Sequence, residues 1–279
     1  MKVGFIGIGT MGRLLVEAFI SSGALLPEDI VASNRTFSKA LALADEFPGL
    51  AAVASNKEVV EKSDIVFLCI KPLEFIHVVQ EIKQALQPEQ IAVSITSPVL
   101  ISHLEEELNC KIAKVIPSVT NTICSGASLC MYGERMQQAD RERLNNLLCF
   151  ISEPLQISES FTRIVSDISS CGPAFFAFLL QQFIDAAVSE TGIHREEAVQ
   201  VASNMLLGTG LLLTQGGLSP EQIQQRVAVP GGITAKALRL LQQDTEGMFE
   251  RLIRTTHDKY YDDLTKVTTA FYSEEVNEP

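Results

Sequence analysis

A glycine-rich turn near the N-terminus constrains this chain more than any other feature. The segment GIGTMG at residues 7–12 has the spacing G-x-G-x-x-G and lies between an apolar run at Lys2–Ile6 and an amphipathic run at Met11–Ser22. In a strand–turn–helix unit, Gly7 permits the tight turn, Gly9 lets the backbone approach a pyrophosphate, and Gly12 lets the helix pack on the strand. The helix N-terminus then faces the anion. The sequence therefore predicts a dinucleotide site, against the simpler interpretation of an ordinary glycine-rich turn.

The first half of the chain alternates short apolar runs with amphipathic runs. Runs rich in Ile and Val predict strands, whereas apolar residues at helical spacing predict helices. The predicted strands are Lys2–Ile6, Ile30–Ser33, Ile65–Ile70, Ile91–Ile95 and Ile112–Ile116, and the predicted helices are Met11–Ser22, Ser38–Phe47, Phe75–Leu86 and Ser102–Leu108. Such alternation indicates a doubly wound parallel sheet, so we predict an α/β, Rossmann-like N-terminal domain over residues 1–160.

Beyond Phe161 the strand-like runs stop and long helical runs follow. The predicted helices are Pro173–Thr191, Arg195–Leu213, a helix that starts at the capping-box sequence Ser219–Gln222, Thr234–Leu241 and Thr245–Leu264, with an acidic, poorly ordered tail at Thr268–Pro279. We therefore predict an all-α domain over residues 161–279. Residues 173–213 are too apolar for a helix pair in water, which predicts burial against a second copy of the chain in a homodimer or larger homo-oligomer.

The composition and net charge of the chain disfavour some classes of binding partner. The 279 residues are 46% hydrophobic and carry a net charge of −12, which disfavours binding to nucleic acid and to anionic membranes. No segment is expected to span a membrane, since the apolar run Ile65–Ile70 is far shorter than the roughly 20 residues that a span requires. The N-terminus does not resemble a secretion signal. We expect a cytoplasmic protein. The six cysteines and four histidines are dispersed, so no metal site is predicted.

The end of the second predicted strand bears on the choice of cofactor. Sites for NAD usually place Asp or Glu here to hold the ribose 2′-hydroxyl, but this chain has Ser33, Asn34 and Arg35. A guanidinium with neighbouring hydroxyl groups suits a 2′-phosphate. The sequence therefore favours NADPH over NADH, and the alternative is that Arg35 is an ordinary solvated loop residue.

Two segments that contain Gly and Pro, Ser169–Ala174 and Val229–Thr234, each lie just before a predicted helix. The N–H groups at the N-terminus of such a helix suit a carboxylate ligand. Either segment alone is equally typical of an ordinary helix start. Together with Gly7–Gly12, Asn56 and Cys69–Pro72, they give the chain a resemblance to the pyrroline-5-carboxylate reductases over nearly its whole length. The resemblance implies a Rossmann domain, a helical domain that intertwines in a homodimer, NADPH as hydride donor, and a small cyclic imine carboxylate as the substrate that is reduced to proline.

The resemblance also implies roles for individual residues. Those implied at the cofactor are Gly7, Gly9, Thr10, Met11 and Gly12 near the pyrophosphate, Ser33, Asn34 and Arg35 at the adenosine phosphate, Asn56 at the adenosine, Cys69, Ile70, Lys71 and Pro72 at the ribose and nicotinamide, and Ser97 in the next strand-end loop. Those implied at the substrate are Val229, Gly231, Gly232, Ile233 and Thr234. Backbone amides of this last segment would hold the carboxylate, and the hydroxyl of Thr234, the implied catalytic residue, would orient or help to protonate the imine nitrogen.

Departures from the family pattern lie mainly in the substrate half. Val229 replaces a hydroxyl residue expected near the substrate carboxylate, Cys171 replaces a serine, and Ile116–Thr120 replaces Met-Pro-Asn-Thr-Pro. Two interpretations compete: an enzyme that reduces pyrroline-5-carboxylate or a related imine, and a catalytically weak or inactive dinucleotide-binding member with a regulatory role. In these departures the chain resembles a divergent branch of the family that some bacteria encode in a DNA-uptake competence operon.

Overall fold

The computed structural model describes residues 1–272 and is built around one eight-stranded sheet. The strands are β1 Val3–Ile6, β2 Ile30–Ser33, β3 Ala51–Ala52, β4 Ile65–Leu68, β5 Ile91–Ser94, β6 Lys111–Ile116, β7 Ala127–Tyr132 and β8 Glu153–Gln156. They are ordered β3-β2-β1-β4-β5-β6-β7-β8, and neighbours are parallel except for β6 and β7. The predicted doubly wound α/β architecture is confirmed.

The five predicted strands are the central ones, and the three that sequence patterns missed lie at the flanks of the sheet. Strands β1, β2, β4 and β5 are buried along their whole length, so their short, mostly apolar runs with Ile and Val identify them. Strand β3 has only two residues, and β8 is a largely exposed edge strand that contains Glu and Pro. Strand β7 is buried but rich in Ala, Ser, Cys and Met, which have little strand preference.

Helices cover both faces of the sheet in the first half and dominate the second half. Those of the first half are α1 Thr10–Ser21, α2 Phe37–Glu46, α3 Asn56–Glu61, α4 Phe75–Ile82, α5 Ile101–Glu107 and α6 Gln138–Leu148. Those of the second half are α7 Thr162–Ser166, α8 Gly172–Thr191, α9 Arg195–Thr214, α10 Pro220–Val227, α11 Ile233–Asp244 and α12 Met248–Tyr272. The capping box predicted before α10 is present, with Ser219 Oγ accepting from the Gln222 N–H at 3.3 Å.

Two sequence predictions about helix ends need correction. Helix α4 ends at Ile82 rather than at Leu86. The predicted disordered tail at Thr268–Pro279 is wrong for residues 268–272, which continue α12. Burial explains the difference, because Val267 and Phe271 pack into the core of the sheet domain. The remainder of the predicted tail, residues 273–279, lies outside the described residues.

The sheet carries a hydrophobic core on each face. On one face Phe5 of β1 stacks on Phe67 of β4 at 5.2 Å between ring centroids, and Phe19 of α1 packs against both. The other face packs α3, α4 and α5 with the C-terminal part of α12. Period-two alternation along each buried strand sends successive side chains to opposite cores, so the carboxyl ends of the central strands are held rigidly.

The chain divides into two compact units, Met1–Pro173 with the described residues after Arg254, and Ala174–Arg254. The second unit is helical, and its own core is small: Ile184 of α8 packs with Ala198 and Ala202 of α9. The boundary predicted at residue 160, between a dinucleotide-binding domain and a helical domain for the substrate and dimerisation, stays a prediction.

Much of the apolar surface of α8 and α9 remains exposed in a single chain. Phe176, Phe183, Val201 and Leu207 are each more than half exposed. Exposed apolar area on this scale marks an interaction surface, in agreement with the predicted burial against a second copy.

One helical run among the described residues, Glu159–Thr191, is long and apolar enough to cross a membrane by length and composition alone. The expectation that no segment passes this test is therefore wrong, because the apolar residues of α8 are spread along a longer continuous helix. A single run of this kind is only a weak indication of a membrane.

Candidate dinucleotide site

The glycine-rich turn adopts the geometry that its spacing predicts. Gly7 has φ of 98°, in the left-handed region, and its N–H donates to the Ser33 carbonyl at 2.9 Å. A Cβ on Gly7 would lie 2.5 Å from the Cys69 carbonyl oxygen, and one on Gly12 would lie 2.0 Å from the Gly7 oxygen. A Cβ on Gly9 would meet no protein atom within 4 Å. Gly7 and Gly12 are thus required by the fold itself, whereas Gly9 leaves open space above the N-terminus of α1.

Polar side chains tie this turn to the end of β2. Asn34 Oδ1 accepts from the Ile8 N–H at 2.9 Å, and its Nδ2 donates to the Thr36 carbonyl at 3.0 Å. The Ser33 hydroxyl, which is buried, donates to Asn56 Oδ1 at 2.7 Å. The side chains at the β2 end therefore hold the turn and the loop before α3 in one arrangement.

A cavity of about 570 Å³ opens at the carboxyl ends of β1, β2 and β4. The predicted cofactor residues that line it are Gly7, Gly9, Asn34, Arg35, Asn56, Cys69, Ile70 and Lys71. Thr36, one of the hydroxyl residues beside Arg35, lines it as well, together with four residues that were not predicted, namely Lys39, Glu74, His77 and Glu81. The crevice beyond the strand ends is where ligands bind in doubly wound folds.

Three of the charged side chains in this cavity contact other residues of its lining. Arg35 Nη1 lies 3.0 Å from Glu74 Oε1. Glu81 accepts from Asn56 twice, from Nδ2 at 2.7 Å and from the backbone N–H at 3.3 Å. After β4, burial raises the pKa of the Cys69 thiol far above its usual range, so this side chain is uncharged.

Six of the predicted cofactor residues do not line this cavity. Thr10, Met11 and Gly12 lie within α1, where Met11 packs against the core. Pro72 begins the turn before α4. Ser97 lies in the loop after β5, and its buried hydroxyl has no hydrogen-bond partner among residues 1–272. The sixth, Ser33, does not line the cavity but donates a hydrogen bond to Asn56, which does.

An ion pair between a buried lysine and a partly exposed glutamate lies beside the Ser97 loop and was not predicted. Lys114 of β6 is fully buried, and its ammonium group contacts Glu159 and donates to the Ser97 carbonyl at 3.3 Å. Burial lowers the Lys114 pKa, while Glu159 opposes that shift. The Ile101 N–H donates to Glu159 at 2.9 Å, so the pair fixes the Ser97 loop to the start of α5.

The first Gly-Pro segment is held against the loop after β6. Residues Asp167–Cys171 form a turn of π-helix just before α8, a feature that often accompanies functional sites. Ser118 Oγ donates to the Ser169 carbonyl and Ser170 Oγ donates to the Pro117 carbonyl, both at 2.8 Å. The hydroxyl groups of Ser118 and Ser170 therefore hold this segment in place through bonds to backbone carbonyls.

The second Gly-Pro segment starts α11 in the helical unit. Gly231 has φ of 76°, and the Gly232 N–H donates to the Val229 carbonyl at 2.9 Å, which folds the turn onto the helix start. Val229 is 63% exposed and Ile233 is 91% exposed, while Thr234 is half-buried in the first turn. The N–H groups of a first helical turn lack partners within the helix, so this segment can receive an anion.

Two protein-family models match separate parts of the chain. A model described as pyrroline-5-carboxylate reductase dimerisation matches residues 159–262, and one described as NADP oxidoreductase, coenzyme F420-dependent, matches residues 2–98. ComE operon protein 4 of Bacillus subtilis is 39% identical over 98% of this chain and all of that protein. Pyrroline-5-carboxylate reductase of Escherichia coli is 30% identical over 87% of this chain and 90% of that protein.

Solved structures agree with this assignment at the level of fold. The NADP-bound pyrroline carboxylate reductase of Plasmodium falciparum superposes with a TM-score of 0.81 at 23% identity, over 97% of this chain and 98% of that chain. Human pyrroline-5-carboxylate reductase 2 is 31% identical over 87% of this chain and 77% of that protein. With relatives of this identity along most of its length, the chain belongs to the pyrroline-5-carboxylate reductase family.

Proposed function

We propose that this protein reduces 1-pyrroline-5-carboxylate, or a related cyclic imine carboxylate, to proline or the corresponding amine with NADPH as hydride donor. The observation that carries the proposal is the cavity at the strand ends, where the loop after β2 contributes Arg35 and no acidic residue beside the glycine-rich turn. The E. coli and human relatives named for this reductase, and the structural neighbour with NADP bound, support it.

The cavity suits a phosphorylated dinucleotide. Open space above Gly9 leaves room for a pyrophosphate against the backbone. Arg35, Lys39 and Lys71 bring cationic groups to the same cavity, and guanidinium and ammonium groups are the usual partners of phosphates. Cys69 and Ile70 would line the ribose and nicotinamide side. NADPH, when bound, supplies the hydride.

The helical unit would supply the groups that meet the substrate. The N–H groups at the start of α11 would bind the carboxylate, with Gly232 as the N-cap. The Thr234 hydroxyl would hydrogen-bond to the imine nitrogen and orient it. A protonated imine is already a good hydride acceptor, so orientation accounts for most of what these side chains must do.

A second candidate function has two specific observations in its favour. The relative at 39% identity is named for the ComE operon and not for the reductase, and Val229 removes a hydroxyl that the reductases place near the substrate. A dinucleotide-binding homo-oligomer with a role connected to competence, and with little or no turnover, fits both facts. The cytoplasmic location and the absence of nucleic-acid or membrane partners stay predictions.

Two measurements on the purified full chain separate these functions. We expect NADPH to raise the thermal unfolding midpoint more than NADH does, and pyrroline-5-carboxylate to drive NADPH oxidation that saturates with substrate. Binding without substrate-dependent oxidation would favour the second function. If neither NADPH nor NADH raised the unfolding midpoint, both functions would be overturned.

A further inference from the structure

Glu74 lies on the wall of the dinucleotide cavity and holds the guanidinium that would receive a 2′-phosphate. Its Oε1 is 3.0 Å from Arg35 Nη1, and the two side chains are 44% and 81% exposed. Both residues line the same cavity. A ligand phosphate that approaches Arg35 therefore competes with this carboxylate for the guanidinium.

The backbone keeps Glu74 at that position. Residues Pro72–Glu74 form a short turn in which the Glu74 N–H donates to the Lys71 carbonyl at 3.0 Å. Glu74 is also the N-cap residue of α4, and a carboxylate is favoured near a helix N-terminus. The other acidic residue on the cavity wall, Glu81, is instead occupied by Asn56. Glu74 is thus the cavity carboxylate that pairs with Arg35.

We propose that Glu74 sets the preference of this chain between dinucleotides with and without a 2′-phosphate, by competing with that phosphate for Arg35. This inference rests on the proposed binding of NADPH. A phosphate monoester carries about −1.5 to −2 charges at neutral pH, so Glu74 opposes its entry, whereas a neutral 2′-hydroxyl meets no such repulsion. Because an exposed ion pair is weak, Glu74 moderates the preference for the phosphorylated dinucleotide without abolishing it.

The test uses two fragments that differ only in the 2′-phosphate, adenosine 2′,5′-bisphosphate and AMP, with binding to the full chain measured by calorimetry. We expect Glu74→Gln to bind the bisphosphate about three- to tenfold more tightly than the wild type, from the loss of one nearby like charge. Affinity for AMP should stay within about twofold, since AMP does not engage Arg35 through a 2′-phosphate.

Glu58→Gln is the matched control. Glu58 forms an exposed ion pair with Lys62 at 3.5 Å on α3 and does not line the cavity, so this variant makes the same change in net charge elsewhere. Its affinities for both fragments should equal those of the wild type. Unliganded unfolding midpoints are compared first, and Glu74→Ala serves as the second variant if Glu74→Gln does not fold.

The outcomes distinguish this inference from the proposed function. Wild-type binding of NADPH and of the bisphosphate, with the same affinities in Glu74→Gln, overturns the role of Glu74 alone. An equal gain for AMP and the bisphosphate also overturns it, because the effect would then not depend on the 2′-phosphate. A wild type that binds neither NADPH nor the bisphosphate overturns the proposed function and this inference together.

Discussion

At the scale of residues, the glycine-rich turn separates glycines that the fold needs from one that a ligand needs. Gly12 is packed so closely that a Cβ would lie 2.0 Å from the Gly7 carbonyl oxygen, while a Cβ on Gly9 would enter open space. Sequence spacing predicts both positions but cannot distinguish their tasks. The two residues therefore form a matched pair for experiment.

We predict that Gly12→Ala lowers the free energy of unfolding by about 1–3 kcal/mol through overpacking. Gly9→Ala should leave the unfolding midpoint unchanged and remove the increase that NADPH produces, because its methyl group would occupy the space for the pyrophosphate. Thermal unfolding of both variants with and without NADPH measures this. Loss of stability in Gly9→Ala, or an unchanged NADPH effect, would contradict the assignment.

Val229 offers a second test at this scale. Val229→Thr restores a hydroxyl of similar volume at the start of the α11 segment. Because a hydrogen bond to a charged group contributes about 1.5–3 kcal/mol, KM for pyrroline-5-carboxylate should fall about ten- to a hundredfold. Val227→Thr is the control, since Val227 is exposed to a similar degree, 58% against 63%. Equal effects of the two substitutions would show that Val229 does not meet the substrate.

The residues of the site that follow strand ends are predictable from the sequence, whereas those contributed by α4 and the turn before it are not. Asn34, Arg35 and Lys71 follow strands directly, so topology predicts that they meet at one edge of the sheet. Glu74 and Glu81 reach the same cavity only because the turn after β4 directs α4 beside it. No local pattern in the sequence encodes that direction.

At the scale of elements, the C-terminal part of α12 packs on α5 through a buried histidine. His103 is 3% exposed and stacks on Phe271 at 5.0 Å between ring centroids. Its Nδ1 accepts from the Leu100 N–H at 3.3 Å, and its Nε2 lies 3.4 Å from the Thr268 hydroxyl. Helix α12 therefore extends to Tyr272, beyond the end predicted from polar composition alone.

This contact predicts a pH dependence of stability. Burial, the larger effect, lowers the His103 pKa below 6.5; Lys114 lowers it too, while Glu106 and Glu159 oppose the shift. Between the folded pKa and 6.5 the unfolded chain binds more protons, so stability falls as the pH drops through that interval and is fully present above it. When the free energy of unfolding is measured at a series of pH values, it should fall less steeply below pH 6.5 in His103→Gln than in the wild type. The exposed His194→Gln control should match the wild type, and equal profiles for all three proteins would refute the prediction.

The strands and helices that were predicted correctly from the sequence are those whose burial requires a clear pattern of apolar residues. Strand β4 is predicted by its Ile, Val and Phe residues because both of its faces are covered. Strand β8 pairs with β7 at the sheet edge and needs no apolar pattern to do so. Helix α6 has a polar composition and joins the core through Leu144, Leu147 and Leu148, too few apolar residues to mark a helix from sequence.

At the scale of the whole molecule, the exposed apolar surface of α8 and α9 and the match to the dimerisation model support a homo-oligomer. We predict that Leu207→Asp, at a position 62% exposed in the single chain, shifts the protein toward monomer. Leu41→Asp, at an exposed position on α2, should keep the wild-type mass. Light scattering after size-exclusion chromatography measures both, and an unchanged mass for Leu207→Asp would remove α9 from the interface.

The most direct test of hydride transfer to a cyclic imine is the fate of a labelled hydride. The purified chain is given pyrroline-5-carboxylate and NADPH that carries deuterium at the transferred position, and the product is analysed by mass spectrometry. We predict proline with one deuterium on the former imine carbon, formed at least about tenfold more slowly by Thr234→Val, which loses one hydrogen bond to a charged group. NADPH binding with no deuterated proline above the level of Gly9→Ala would contradict the proposed reaction.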